Sequence, residues 1–355
     1  MKQMLDIYSD YLLASFSQTS ATGLSRLMNG EISHDQVTRF LSSEMKTSKD
    51  LWQLVKPYQR KIQSETGVLI IDDSIEEKPY TDENDIICWH WDHSKGRNVK
   101  GINFISSMYQ NGGVSLPVNF RLVEKTEKYI DKKTRKEKRR SAVSKNELAR
   151  EMISQVIKNK VEFQFILFDV WFGSKENLVF IKTEMKRDFI CPLKRNRKVA
   201  LSLADKRNGH WQKVETLEIE EDTELEIYLE GVEFPVLLIK QVFTNEDGSN
   251  GILYLITSDT TKTKTEIKAI YQRRWNVEEY HKSLKQNVSL AKSPTQTKTT
   301  QTNHFFAALC GYIKLEMLKV ETKTNHFALK TKLYINALQS AAETLREMNP
   351  IQFSA

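Results

Sequence analysis

Two short apolar runs, each closing on an aspartate, constrain this chain more than any other feature. Gly67-Val68-Leu69-Ile70-Ile71 leads into Asp72-Asp73-Ser74, and the run 163–168 (FQFILF) leads into Asp169. Short runs of this kind read as buried strands, with carboxylates at their C-terminal ends. Between them the spacing predicts strands at 102–108 and 114–123, joined by the turn Asn111-Gly112-Gly113. Ser144 is placed to cap a helix over 145–158, with Glu147 completing a capping box. Ser174 caps another helix to about Arg187, followed by a strand at 189–192. The order is therefore strand, strand, strand, helix, strand, helix, strand, with carboxylates ending the first and fourth strands.

The flanks differ in character. Residues 1–60 read as helical: Leu5, Tyr8, Leu12, Leu13 and Phe16 recur at helical spacing. Two shorter helices, 21–28 and 34–42, surround an Asn29-Gly30 turn, with Ser33 as cap. This is the pattern of a helix-turn-helix whose second helix enters a DNA groove, and equally of a plain helical hairpin. Residues 88–93 (CWHWDH) read as a polar loop facing substrate rather than a zinc site, because His90 and His93 lack further ligands at zinc spacing. Residues 124–144 are highly charged and read as an exposed loop, with the basic segments 132–140 and 194–198 as candidates for phosphate contact. Residues 194–250 carry alternating segments at 199–203, 211–217, 224–229 and 232–242, an inserted antiparallel sheet. One more core strand is expected at 252–257, then a long helix at 265–286 and helices at 302–319 and 327–348.

Composition narrows the partners. Among 355 residues, 53 Lys and Arg against 46 Asp and Glu give a net charge of +7, which favours a polyanion over an acidic ligand. Cys88, Cys191 and Cys310 are too widely spaced for a disulfide framework or a structural zinc site and suit a reducing cytoplasm. No apolar run reaches membrane-spanning length, and the early acidic residues of the N-terminus read as a folded helix rather than a signal peptide.

The sharpest motif is YQRRWNVEEYHKSLK at 271–285. Tyr271, Arg274, Glu278 and Lys285 stand at offsets 0, 3, 7 and 14, which return to nearly one face of a helix. A carboxylate between two cations and a phenol suits a site that binds a metal and the phosphate it activates. A solvated salt-bridge ladder is the alternative for any one of these residues. His281, one turn beyond Glu278, is a proton-shuttle candidate or a surface histidine.

The spacing Y-x2-R-x3-E-x6-K resembles the signature of bacterial insertion-sequence transposases of the DDE class, in the IS-four-type superfamily. The first aspartate of that family, followed by x-[ST], matches Asp72-Asp73-Ser74; the second matches Asp169 in FILFDVWFGS; the β-rich insertion matches 194–250. Asp72 and Asp73 are adjacent, so the ligand assignment can slip by one. The resemblance implies a DNA transposase with an RNase H-like α/β core, a mixed sheet with flanking helices. It also implies an inserted antiparallel β-subdomain and helical regions at both ends. The expected layout is a helical DNA-binding region at 1–62, the catalytic core at 63–193 and 251–292, the insertion at 194–250 and a C-terminal helical region at 293–355.

The implied reaction is metal-dependent cleavage at transposon ends and transfer of 3′-hydroxyls into target DNA. Asp72, Asp169 and Glu278 are the expected catalytic and metal-binding residues, holding two Mg²⁺ or Mn²⁺ ions about 4 Å apart. Tyr271, Arg274 and Lys285 are expected to hold the transposon-end strand. Trp275 and Trp171 are candidates to stack a flipped base, as are Trp89 and Trp91, with ordinary packing the alternative for each. The expected partner is double-stranded DNA, both terminal inverted repeats and target. A homodimer on DNA and a bacterial cytoplasmic, nucleoid-associated setting complete the expectation. A nuclease without strand transfer and a non-catalytic DNA-binding descendant are the rival functions.

Overall fold

The computed structural model describes residues 2–221, 223–244 and 247–348. The chain opens with α1 (Lys2–Ala14), α2 (Ala21–Leu27), α3 (His34–Leu41) and α4 (Ser48–Ile62). Ser20 caps α2, and Ser33 caps α3 in a reciprocal box with Gln36. Asn29 and Gly30 make the turn between them at φ 49° and 82°, a left-handed pair that these two residue types adopt at least cost. The first helix stops short of Phe16, which is 78% exposed and lies edge-on to Tyr334. The run Ser15-Phe16-Ser17-Gln18-Thr19-Ser20 explains this, since hydroxyl side chains compete for the backbone groups a helix needs.

Next come β1 (Val68–Glu77), β2 (Ile87–Asp92), β3 (Arg97–Asn111), β4 (Val114–Leu122), β5 (Glu127–Ile130) and β6 (Glu137–Arg140). Where a polar loop is expected at 88–93, the chain forms β2. Cys88 and His90 face inward while Trp89 and Trp91 are each 52% exposed, so two outward tryptophans mask an ordinary period-two strand. The charged stretch at 124–144 is exposed as expected but folds into a separate two-stranded ribbon, β5 against β6. Then follow α5 (Lys145–Lys158), β7 (Phe165–Phe168), α6 (Lys175–Val179) and β8 (Asp188–Pro192). Ser144 and Glu147 form the anticipated capping box, and α6 continues as a π-helical turn at Phe180–Glu184.

The remainder comprises β9 (Lys198–Ala200), α7 (Leu203–Asn208), β10 (Gln212–Lys213), β11 (Glu224–Leu229), β12 (Pro235–Thr244), β13 (Asn250–Thr257), α8 (Lys264–Gln272), α9 (Asn276–Gln286), α10 (Lys298–Thr322) and α11 (His326–Met348). The strand expected at 199–203 is present but short, as β9, and gives way to α7 because Ser202 caps a helix through the amide of Asp205 and Gly209 ends it in the left-handed region. The segment 211–217 yields only the two residues of β10 before a 3₁₀ turn.

Two compact units result. One consists of the described residues of Met1–Thr47, Glu76–Ile87 and Glu279–Ala355; in it α10 is buried continuously over 301–313 and contacts α1, α3 and α11. The other, Ser48–Ile75 with Cys88–Glu278, holds an 11-stranded sheet among the described residues. Its strand order is β10-β9-β11-β12-β13-β8-β7-β1-β3-β2, with β4 also on β3. β1, β7 and β8 are parallel neighbours; β8, β13, β12, β11 and β9 continue antiparallel. Counted in chain order, the five strands β1, β3, β4, β7 and β8 lie as 3-2-1-4-5, with the helix α5 between the third and fourth. That is the RNase H-like arrangement. The inserted strands are antiparallel as expected, but they extend the core sheet through β13 rather than forming a sheet of their own. No described helix is long and apolar enough to cross a membrane.

Candidate active site

Parallel pairing brings the two aspartates together. Val68–Ile71 of β1 is almost wholly buried and pairs with Phe165–Phe168 of β7, ending at Ile71 opposite Phe168. Asp72 and Asp169, the next residue on each side, therefore leave the paired segment together. β1 itself runs on to Glu77, so Asp72 stands within the strand rather than at its end, at the last point of parallel pairing. Asp169 begins a loop that it orients itself: its Oδ1 accepts from the amides of Trp171 at 2.9 Å and Phe172 at 3.3 Å.

The adjacent aspartates have different partners, as expected of neighbours on opposite faces of a strand. Asp73 Oδ2 accepts from Asn103 Nδ2 at 2.7 Å and Lys145 Nζ at 2.9 Å. Asp72 accepts from the Asp73 amide at 2.9 Å and, through Oδ2, from Arg274 Nη1 at 3.2 Å. The same guanidinium gives Nη2 to Glu278 Oε1 at 3.3 Å. Asp72 and Glu278 present carboxylate oxygens within 4.8 Å of each other. Asp169 lies outside that tight group but acts on Asp72 electrostatically. The Asp72 carboxyl is pushed up to about 8, by burial first and by Asp169 second, while Arg274 pulls it down. Asp169 is raised too, by burial, against the pull of the two loop amides.

The helix expected at 265–286 is interrupted. α8 ends at Gln272, a 3₁₀ turn spans Arg273–Trp275, and α9 starts at Asn276. The first residue of the turn supplies the reason: Arg273 donates to the Gln110 side chain at 2.5 Å, the Gln110 carbonyl at 2.6 Å and the Thr66 carbonyl at 2.8 Å. These bonds tie the turn to β3 and to the segment entering β1. Residues three and four apart still meet across the turn, so Arg274 lies 5.9 Å from the Tyr271 ring centre and reaches Glu278. Burial raises the Tyr271 phenol pKa. Burial works against the charge on Arg274, yet Tyr271, Asp72 and Glu278 outweigh it and hold the pKa above its ordinary value.

The remaining expected residues divide. Trp171 is 44% exposed, with Lys145 Nζ 5.3 Å above its ring and His93 5.3 Å away. Trp275 is 65% exposed. Lys285, on the C-terminal half of α9, falls in the other unit and is half-buried. His281 is buried beside Tyr280 rather than on the surface. His90 is buried and His93 exposed. Burial, then Lys125 and Lys145, lowers the His90 pKa to about 3. A cavity of about 570 Å³ opens beyond Asp169, lined in part by Trp171, Lys175, Lys194, Arg197 and Glu230. Sequence reading missed Asn103, Lys145 and Arg273. Of these only Lys145 carried a signal, as the first residue of a strongly capped helix.

A family model described as DDE superfamily endonuclease matches residues 1–214, and one described as transposase DDE domain matches residues 134–314. Among curated proteins none matches this chain. Two solved structures show distant likeness. A chain of the Drosophila P element transposase strand transfer complex is 12% identical over 50% of this chain and 35% of its own length, with a TM-score of 0.25. Endonuclease V from Bacillus subtilis is 13% identical over 65% of this chain and 82% of its own, with a TM-score of 0.23. The match thus spans about a third of the P element chain.

Proposed function

We propose a function from one premise: this chain belongs to the DDE superfamily of endonucleases and transposases. On that premise it is a DNA transposase that cleaves at transposon ends and joins the resulting 3′-hydroxyls to target DNA. The observation that carries the reading is the Arg274 fork. It holds Asp72 and Glu278 in one orientation at the point where Asp169 leaves the neighbouring strand.

The donor set fits a hard divalent cation. Asp72, Asp169 and Glu278 supply hard carboxylate oxygens, and the raised Asp72 and Asp169 carboxyls mark a cluster short of positive charge. Asp72, Asp169 and Glu278 would hold two ions, Mg²⁺ or Mn²⁺. Bound there, such ions activate the attacking oxygen and stabilise the leaving one.

The protein's own groups do the positioning. Arg274 keeps the two carboxylates aligned and is placed to turn one N–H toward a phosphate oxygen of the bound strand. The Tyr271 phenol stays protonated at neutral pH because burial raises its pKa, so it remains a donor throughout. Lys285 holds the strand farther along, and Trp171 and Trp275 offer exposed ring faces to bases. We assign 1–62 to DNA binding, 63–193 with 251–292 to catalysis, 194–250 to the insertion and 293–355 to the helical tail, with a homodimer bringing two ends together.

The test is incubation of the full chain with labelled transposon-end duplex, with and without Mg²⁺. Metal-dependent cuts together with products joined to a second DNA support a transposase. Metal-dependent cuts without joined products reduce the function to a nuclease, and no cutting with Mg²⁺, or with Mn²⁺ in its place, rejects catalysis.

A further inference from the structure

The β5–β6 ribbon is not used by the reading above. It is inserted between β4 and α5, and its two strands pair only with each other. Its stem spends its charge internally. Arg140 bonds Glu127 at 2.7 Å, Lys128 bonds Glu137 at 2.9 Å and Lys138 bonds Asp131 at 2.8 Å. Its tip does not. Lys132, Lys133, Arg135 and Lys136 are all exposed, and no side chain among these four has a protein acceptor among the described residues.

The tip is nevertheless held in shape. Asp131 Oδ1 accepts from the Thr134 amide at 2.7 Å and its hydroxyl at 2.8 Å; the Arg135 amide donates to the Asp131 carbonyl at 2.8 Å. Four cations in five residues are thus displayed on a preformed turn at the end of a two-stranded rod. The rod is four residues per strand, about 13 Å long.

The rod's base leads to the carboxylates. Lys125, just before β5, donates to the Trp89 carbonyl at 2.6 Å. Trp91 of the same strand stands 6.3 Å from His93, His93 stands 5.3 Å from Trp171, and the Trp171 amide bonds Asp169. An aromatic strip therefore joins the ribbon to the site, and the chain leaving the ribbon enters α5, whose Lys145 holds Asp73.

We infer that this ribbon seats in a major groove of the duplex DNA substrate, with Lys132, Lys133, Arg135 and Lys136 on backbone phosphates and the Trp91–His93–Trp171 strip along the strand that reaches Asp169. A major groove admits a two-stranded ribbon, and the tip is complementary in charge to the phosphates flanking it. A self-neutralised stem avoids adding repulsion along the rod and leaves the free charge where the groove walls are. This inference rests on duplex DNA being the substrate.

The test is duplex binding by the full chain across a salt series, for wild type and a tip variant, Lys132→Ser, Lys133→Ser, Arg135→Asn and Lys136→Ser. Asparagine suits position 135, where φ is 54°. Each lost phosphate contact removes about 0.9 from the slope of log affinity against log salt, so the variant's slope falls by about 3 to 4. Roughly 100-fold of the affinity wild type loses between about 50 and 200 mM salt then disappears. A matching melting temperature establishes that the variant is folded. An unchanged slope in a folded variant overturns the inference and leaves the DNA-substrate reading standing, because both proteins still bind duplex. Failure of wild type to bind duplex overturns both.

Discussion

Arg274 is the residue on which the site's geometry turns. One planar guanidinium serves two carboxylates, 3.2 Å from Asp72 and 3.3 Å from Glu278, and an ammonium cannot reproduce that fork. Arg274→Lys is expected to slow single-turnover cleavage by about 100-fold, the scale of losing one positioned donor, with folding intact. Wild-type rates from that variant would mean the two carboxylates need no common clamp. Residue identity was only partly legible in the sequence. Asp72 and Asp73 are adjacent, so on paper the assignment can slip by one; what separates them is Asn103 and Lys145, thirty and seventy-two positions away, both on Asp73. The motif spacing picks out Arg274, but nothing in the chain marks its neighbour Arg273 as the anchor of the turn.

At the scale of elements, local chemistry was legible and long-range pairing was not. Ser33, Ser144 and Ser174 each begin a helix where their side chains predict, and the runs ending in Asp72 and Asp169 are the central strands. β2 was hidden because both of its outward residues are tryptophans, which read as loop aromatics. The break between α8 and α9 was hidden because it is imposed from outside, by Gln110 and Thr66. Capping here also serves the site: Ser144 starts α5, and α5 delivers Lys145 to Asp73. Ser144→Ala is expected to cost about 1 kcal/mol of stability, read as a lower denaturant midpoint at unchanged slope. No shift in midpoint would show that the cap is replaced by solvent.

Across the whole molecule, two buried histidines lose stability toward acid while the raised Asp72 carboxyl acts in the opposite direction. His304 sits between the Tyr8 hydroxyl and the Leu290 carbonyl, each at 3.1 Å, and burial, then Lys78, lowers its pKa to about 4. His90 is lowered to about 3. A folded pKa below the unfolded one means the unfolded chain binds the extra proton, so this stability is complete above about pH 6.5 and is lost as pH falls toward 4. His304 alone contributes about 3 kcal/mol in that window. The stability difference between wild type and His304→Gln should therefore shrink as pH falls from about 7 to 5, which separates the imidazole from the opposing Asp72 carboxyl, and a pH-independent difference would place the His304 imidazole in solvent. The order of strands and helices and the antiparallel insertion were legible in the chain, and the RNase H-like core was implied by the family resemblance. The continuity of that insertion with the core sheet was not legible, since β12–β13 register appears only in three dimensions. The central claim is that Asp72, with Asp169 and Glu278, forms the cutting site. Its most direct test is metal-dependent cleavage of end-bearing duplex by Asp72→Asn and Asp73→Asn side by side, with duplex binding measured on the same preparations. The account predicts that Asp72→Asn binds normally and loses cleavage by about 1,000-fold or more, while Asp73→Asn retains a measurable rate. Full cleavage by Asp72→Asn, with the loss falling on Asp73→Asn instead, would contradict it.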